Sequence, residues 1–274
     1  MALTINTNVA SMAAQKNLGA NQKNLQVSFN RLSSGLRVNT AADDAAGLAV
    51  SESMKSQIRS YSVAERNAAD GISMAQTAEG ALGEVHSILG RMRELSMQAS
   101  NGTLTTTDRA QINTEFGLLK DEITRIQGSA KFNGVSVVGS DESSLTFQVG
   151  LHDEATDQIT VTFGGVALTS LLASTVTVST MSSARASLAA IDDAISSVST
   201  SRAGFGAAMN RLEIATSNIQ TMRLNLSAAN SRIRDVDVAE ETSSLSRNQV
   251  LAQAGASVLA QANQLPQIAL GLLR

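Results

Sequence analysis

A heptad seam of apolar and small side chains, unbroken over about five repeats, constrains this chain more than any other feature. Taken at alternating steps of four and three, its positions are Ala64, Ala68, Gly71, Ala75, Ala78, Leu82, Val85, Leu89, Met92, Ser96 and Ala99. A 3.5-residue period kept this long predicts a helix packed along a partner, roughly 54 Å at the rise of an α-helix. The first half of the seam is Ala and Gly, so a neighbour comes close there, while the second half is bulky. A matching seam lies in the other half of the chain: Ala184, Leu188, Ile191, Ile195, Val198, Arg202, Phe205, Met209, Leu212, Thr216, Ile219, Arg223, Leu226, Asn230 and Ile233. Its polar intrusions, and a drift toward Ala215, Met222 and Ala229, fit a nearly straight helix whose stripe slides round it. Two rods, one from each half, bracket a middle of different character.

Composition supports long helices over a compact globule. Aromatics are 3% of the 274 residues, Pro occurs once and Trp is absent, whereas a globular core leans on aromatic side chains. A net charge of −3 gives no signal for nucleic acid. With no Cys there is neither a disulfide framework nor a thiolate metal site. The N-terminus has no basic and apolar segments of a cleaved secretory signal. Residues 248–273 carry no charge, but Gln249, Gln253, Gln261, Asn263, Gln264 and Gln267 break the run and Pro266 interrupts it, so no membrane span is expected.

In chain order, a stripe from Ala14 through Leu18, Leu25, Phe29 and Leu32 predicts an amphipathic helix ending at Ser33-Ser34-Gly35, with Gly35 in the left-handed position. Asn39 or Thr40 is expected to cap the next helix, with Asp43 and Asp44 in its first turn as dipole partners rather than catalysts. The long helix stops at the turn dipeptide Asn101-Gly102. Thr107-Asp108 is read as the cap of a further helix with seam Ile112, Phe116, Leu119, Ile123 and Ile126, closed by Gly128. Asn133-Gly134 is expected to turn the chain into a strand at 135–138. The period then changes to two. Leu145–Val149 and Gln158–Phe163 flank the polar turn 153–157 and predict a hairpin. Residues 164–180 are Gly/Ser/Thr-rich and carry no clear assignment. Asp235-Val-Asp237 opens a last helix with seam Leu251, Ala254, Val258, Ala262, Leu265, Ala269 and Leu272.

Chemistry-bearing clusters are absent from the sequence. His86 is placed on the rod surface and His152 in the hairpin turn, neither with a partner at metal spacing. Asp153, Glu154 and Asp157 lack calcium-loop spacing and read as solvated turn residues. There is no phosphate-binding Gly loop and no nucleophile elbow. The chain is expected to be no enzyme and to need no cofactor or metal.

Three runs resemble bacterial flagellin: Leu32 to Ala49 (LSSGLRVNTAADDAAGLA), Arg66 to Leu82 (RNAADGISMAQTAEGAL) and Arg91 to Gln98 (RMRELSMQ). The C-terminal segment through Pro266 is similar to that family too, and the resemblance covers about residues 1–138 and 181–274. Together, pattern and resemblance imply a mainly α fold: long antiparallel, coiled-coil-like rods from both halves, with a small β-hairpin element in the middle. They divide the chain into terminal helices 1–40 and 236–274 as an inner filament layer, a rod 41–138 and 181–235, and a short β-rich outer segment 139–180. The terminal stripes (Leu18, Leu25, Phe29, Leu32, Leu251, Val258, Leu265, Leu272) lack a core of their own and are expected to drive polymerisation, folding on assembly. A head-to-tail contact that does not close gives a helical fibre.

The resemblance also implies a secreted, extracellular protein of the flagellum that is exported unfolded. Its implied partners are itself, an export chaperone on the C-terminal segment, and cap and hook–filament junction proteins. The Toll-like receptor that detects flagellin in a host reads an Arg, a Leu and a Glu in this family; the matching positions are Arg91, Leu95 and Glu115. From their spacing, Arg91 and Leu95 are expected on one helix face, reachable from outside the core. Gly90 departs from relatives that carry a larger polar residue. The alternatives are a hook–filament junction protein and a secreted helical effector that binds a host protein.

Overall fold

The computed structural model describes residues 7–139, 141–166 and 168–272, and the backbone alone over 265–272. The chain divides into two compact units, residues 1–56 with 225–274, and residues 57–224. Among the described residues the α-helices are α1 (Val9–Ser34), α2 (Ala45–Ala99), α3 (Thr106–Ser129), α4 (Thr169–Leu172), α5 (Met181–Arg234) and α6 (Val238–Leu272). The strands among these residues pair antiparallel, β1 (Lys131–Phe132) with β2 (Val135–Ser136), and β3 (Ser143–Gln148) with β4 (Gln158–Phe163).

In residues 57–224, all of Ala64, Ala68, Gly71, Ala75, Ala78, Leu82, Val85, Leu89, Met92, Ser96 and Ala99 are buried, as the seam predicts. Along this stretch α2 runs antiparallel to α5. Glu65 meets Gln220 and Arg223, Gly71 faces Leu212, Glu79 pairs with Arg202 at 2.6 Å, Arg93 with Asp192 at 2.8 Å, and Ser96 with Ser187 at 3.0 Å. Partners on α5 fall in number as those on α2 rise, which only an antiparallel pair allows. The two arginine intrusions of the second seam are thus answered: Arg202 and Arg223 reach carboxylates on α2. The predicted drift fails at Met222, which is exposed and touched by the Tyr61 hydroxyl.

Caps differ from expectation by a few residues. Helix α2 begins at Ala45, and the Gly47 N–H donates to Asp44 Oδ1 at 2.9 Å, so Asp44 is the cap. Asn39 and Thr40 do not cap it; their N–H groups and the Thr40 hydroxyl donate to Asp43 Oδ2 in the turn before the helix. These bonds, Thr40's first, hold the Asp43 carboxyl below its ordinary range. Thr105, not Thr107, caps α3, in a reciprocal box with Asp108. Gly128 lies inside α3, which runs one residue further. Gly35 ends α1 with φ 72°, as read from sequence. Asp237 Oδ1 receives the Ala239 N–H at 2.9 Å and opens α6, which continues through Pro266 to Leu272, as its seam predicts.

Apolar side chains of the middle of the chain join the core cluster of the long helices. Asn133 (φ 48°) and Gly134 (φ 82°) turn β1 into β2, and strand pairing stops at Ser136 instead of Val138. On β4 the alternating Ile159, Val161 and Phe163 are buried, and Phe163 stacks on Phe205 of α5 with centroids 5.4 Å apart. The Asn67 amide donates to the Gln148 carbonyl. Residues 164–180, unassigned from sequence, contain α4 and bury Val166, Leu168, Leu171 and Val178. They are pinned by the Lys120 ammonium, which donates to the Ala173 and Val176 carbonyls, and by Asn113, which accepts from the Val178 N–H. Burial among these groups lowers the Lys120 pKa.

Candidate functional site

In the unit made of the chain ends, α1 and α6 pack along each other. The Asn8 amide donates to the Ala262 carbonyl at 2.8 Å, the Ser11 hydroxyl to Asn263 Oδ1 at 2.7 Å, and Arg31 pairs with Glu241 at 3.5 Å. Gly255 admits Leu18 closely, since a Cβ there would sit 3.4 Å from Leu18 Cδ1. The connection is tied off by a bridge between Leu36 and Asp235 and by Arg37, which donates to the Ile233 carbonyl.

The stripes named from sequence are only partly covered by this pairing. Leu18, Leu25 and Leu32 are half-buried. Phe29 remains 47% exposed, Leu251 44% and Val258 55%. The side chains of Leu265 and Leu272 lie outside those described. Small residues, Ser28 and Ala262, form the buried line instead. Val9, Met12, Val238 and Val250 are exposed too, and the sequence reading missed them. No stripe marks Val9 and Met12 in the sequence: at about 100° per residue they lie roughly 180° and 120° round α1 from Leu18.

In residues 57–224, Arg91 and Glu115 are brought together from α2 and α3, Nε to Oε1 at 2.9 Å, and Arg91 also bonds Glu94 Oε2 at 3.0 Å. Both carboxylates, Glu115 first, raise the Arg91 pKa; Asp192 does the same for Arg93. Leu95 is a correction. It is 2% exposed and belongs to the core cluster with Phe116 and Ile123 of α3. The two-helix seam leaves position 95 outside, but the core extends to α3. Arg91 and Glu115 are both half-exposed, so this surface presents an ion pair over a buried leucine.

The remaining polar groups are structural. His86 is half-buried with a shielded Nδ1 rather than on the surface. Asp157 is no solvated turn residue: it accepts the His152 N–H at 2.7 Å and closes on Gly150, where no side chain fits. Among the described residues, no three His, Asp or Glu side chains gather as a metal ion would need, and no helix is long and apolar enough to cross a membrane.

Long paired helices and terminal helices with uncovered apolar side chains define a mainly α, long-helix protein. The comparisons make this specific. Residues 5–139 match the bacterial flagellin N-terminal helical region and residues 188–273 the bacterial flagellin C-terminal helical region. The chain is 45% identical over 274 residues to a flagellin of Halalkalibacterium halodurans, covering 99% of this chain and 100% of that protein. It is 40% identical to a flagellin of Bacillus subtilis, again across 99% and 100%. A Bacillus cereus flagellin crystal structure is 32% identical, covers 60% of this chain and 94% of its own, and superposes with a TM-score of 0.49. The chain belongs to the bacterial flagellin family. It is a structural component of the flagellar filament.

Proposed function

We propose that this flagellin polymerises through the α1–α6 pair and builds the propelling filament outside the cell. The observation that carries the reading is the number of large apolar side chains these helices leave uncovered: Val9, Met12 and Phe29 on α1, Val250, Leu251 and Val258 on α6. Such a surface in water is a contact waiting for a partner. In this reading residues 1–40 and 236–274 form the inner layer, 41–138 and 181–235 the layer around it, and 139–180 the outermost part. Export before assembly, a chaperone on the uncharged C-terminal segment, and cap and junction proteins at the filament ends complete the proposal. Full-length likeness to flagellins favours a filament subunit over a hook–filament junction protein or a helical effector.

Removal of residues 240–274 tests it. The truncated chain is expected to stay soluble when seeded with short filament fragments, while the full chain sediments as long fibres. Filaments of normal length from the truncated chain would overturn the reading. Full-length protein that never elongates seeds would favour the junction protein or the effector.

We further propose that the host Toll-like receptor reads the monomer at the Arg91–Glu115 surface. Leu95 then acts from beneath, by holding that surface in place. Arg91→Ala is expected to weaken activation of receptor-bearing reporter cells with the fold intact; unchanged activation by Arg91→Ala would refute it.

A further inference from the structure

Two Asn-Gly dipeptides stand in turns, and the fold treats them oppositely. Asn101-Gly102 follows the last turn of α2, outside regular structure, with both residues exposed. The Thr103 N–H donates to Asn101 Oδ1 at 3.2 Å, and a Cβ at Gly102 would meet no atom within 4 Å. The hydrogen bond polarises the side-chain carbonyl in the sense that favours attack at Cγ; Asn133 and Gly134 are exposed as well, and a Cβ at Gly134 would also meet no atom within 4 Å, so backbone restraint rather than access separates the two turns. Asn133-Gly134 is instead clamped between the paired residues Phe132 and Val135, with Asn133 fixed at φ 48°. Two-residue turns of this kind hold both dihedrals in the left-handed region.

We propose that Asn101 is a site of spontaneous deamidation in the folded protein and that Asn133 is protected. Hydroxide or buffer base removes the Gly102 amide proton, and that nitrogen attacks Asn101 Cγ. The Cγ–Nδ2 bond breaks, Nδ2 leaves as ammonia, and a succinimide ring remains. Water opens the ring at either carbonyl, giving aspartate or isoaspartate, with no change of oxidation state. The attack is intramolecular, so its rate follows how freely the backbone brings nitrogen to carbon, and misplacement by an ångström costs about a hundredfold.

The product matters locally. Arg109 donates from Nε to the Ala99 carbonyl at 2.9 Å and from Nη2 to the Asn101 carbonyl at 2.8 Å, anchoring the loop to α3. Aspartate at 101 places a negative charge just beyond the C-terminal end of α2, where the helix dipole disfavours it. Isoaspartate moves the Asn101 carbonyl through an added backbone methylene and loosens the Arg109 anchor.

The experiment ages the purified full-length protein at mildly alkaline pH, native and in urea, followed by trypsin and mass spectrometry. Cleavage gives Glu94–Arg109 with Asn101 as its one asparagine and Phe132–Arg185 with Asn133 as its one asparagine. In native protein the one-dalton gain is expected in the first peptide at a rate roughly tenfold or more above the second. In urea the two rates should converge, and Gly102→Ala should slow the first. Equal native rates, a faster Asn133, or no gain at Asn101 would overturn the proposal.

Discussion

Truncating Phe163 should detach the β3–β4 hairpin from the helices. Phe163 is fully buried at the end of β4, and its ring stacks on that of Phe205, itself 2% exposed, at 5.4 Å and an interplanar angle of 28°. Phe163→Ala removes a fully buried aromatic side chain and leaves a cavity, a loss of about 3–5 kcal/mol. The stacked pair contributes about 0.5–1.5 kcal/mol of that beyond simple burial. An isolated two-stranded hairpin is barely stable in water, so the loss falls first on β3 and β4 and only then on the long helices. Amide hydrogen exchange reads this directly. At about 1.4 kcal/mol per tenfold, opening of β4 should rise by on the order of a hundredfold or more, while amides of α2 near Leu82 change far less. A double-mutant cycle with Phe205→Ala should return a coupling near the stacking value. A total cost under about 1 kcal/mol, with zero coupling, would mean that the middle of the chain is not part of this core.

Other perturbations separate effects that position alone would merge. Gly71→Val should lower the thermal midpoint, because its Cβ meets Leu212 Cδ1 and Phe147 Cδ1 at 3.1 Å, an overpacking cost of about 1–3 kcal/mol; Gly90→Ala, open within 4 Å, should raise the midpoint by a gain of up to about 1 kcal/mol. Leu95→Ala should cost about 2–5 kcal/mol in urea unfolding, whereas Arg91→Ala, losing only exposed ion pairs, should cost under about 1 kcal/mol. A receptor defect of Leu95→Ala would then follow its unfolding and that of Arg91→Ala would not. Asp108 is held below its ordinary 3.8, first by the Thr105 side chain and then by its N–H. A carboxyl lowered by folding stabilises above its unfolded value and loses that contribution as pH falls through the folded one. Asp108→Asn should therefore weaken the first turn of α3 near neutral pH and show a shallower loss below pH 3.8, read by amide exchange of that turn.

The α2 seam was legible to the residue because a 3.5 period encodes burial directly, and local turns such as Gly35 and Asn133-Gly134 were legible because few residues adopt left-handed backbone. The α5 seam was legible only in part. Its arginines are intelligible once Glu65 and Glu79 are opposite, and a pairing across more than a hundred residues leaves no local mark. Packing of the middle was hidden for the same reason: β4 alternates in sequence, but the alternation does not say which surface receives Phe163. The caps slipped because Thr105 and Thr107 both precede Asp108, and only the reciprocal geometry chooses between them. Leu95 was misplaced by reading α2 against one neighbour when the core includes α3 as well.

If polymerisation runs through the α1–α6 pair, as proposed, pairing and polymerisation are separate steps. Two helices bury one line each, and α1 and α6 give that line to Ser28 and Ala262, leaving larger side chains outside. Val9, Met12, Phe29, Val250, Leu251 and Val258 are each about half or more exposed, so covering them contributes roughly 1 kcal/mol apiece. The several kcal/mol that result are comparable with the 4–15 kcal/mol or so of freedom lost when two chains associate. One such contact between two monomers is therefore marginal. A subunit that joins an existing fibre touches several neighbours for a single loss of freedom, and the balance turns favourable. The same uncovered side chains thus predict monomers that persist alone and elongate promptly from seeds.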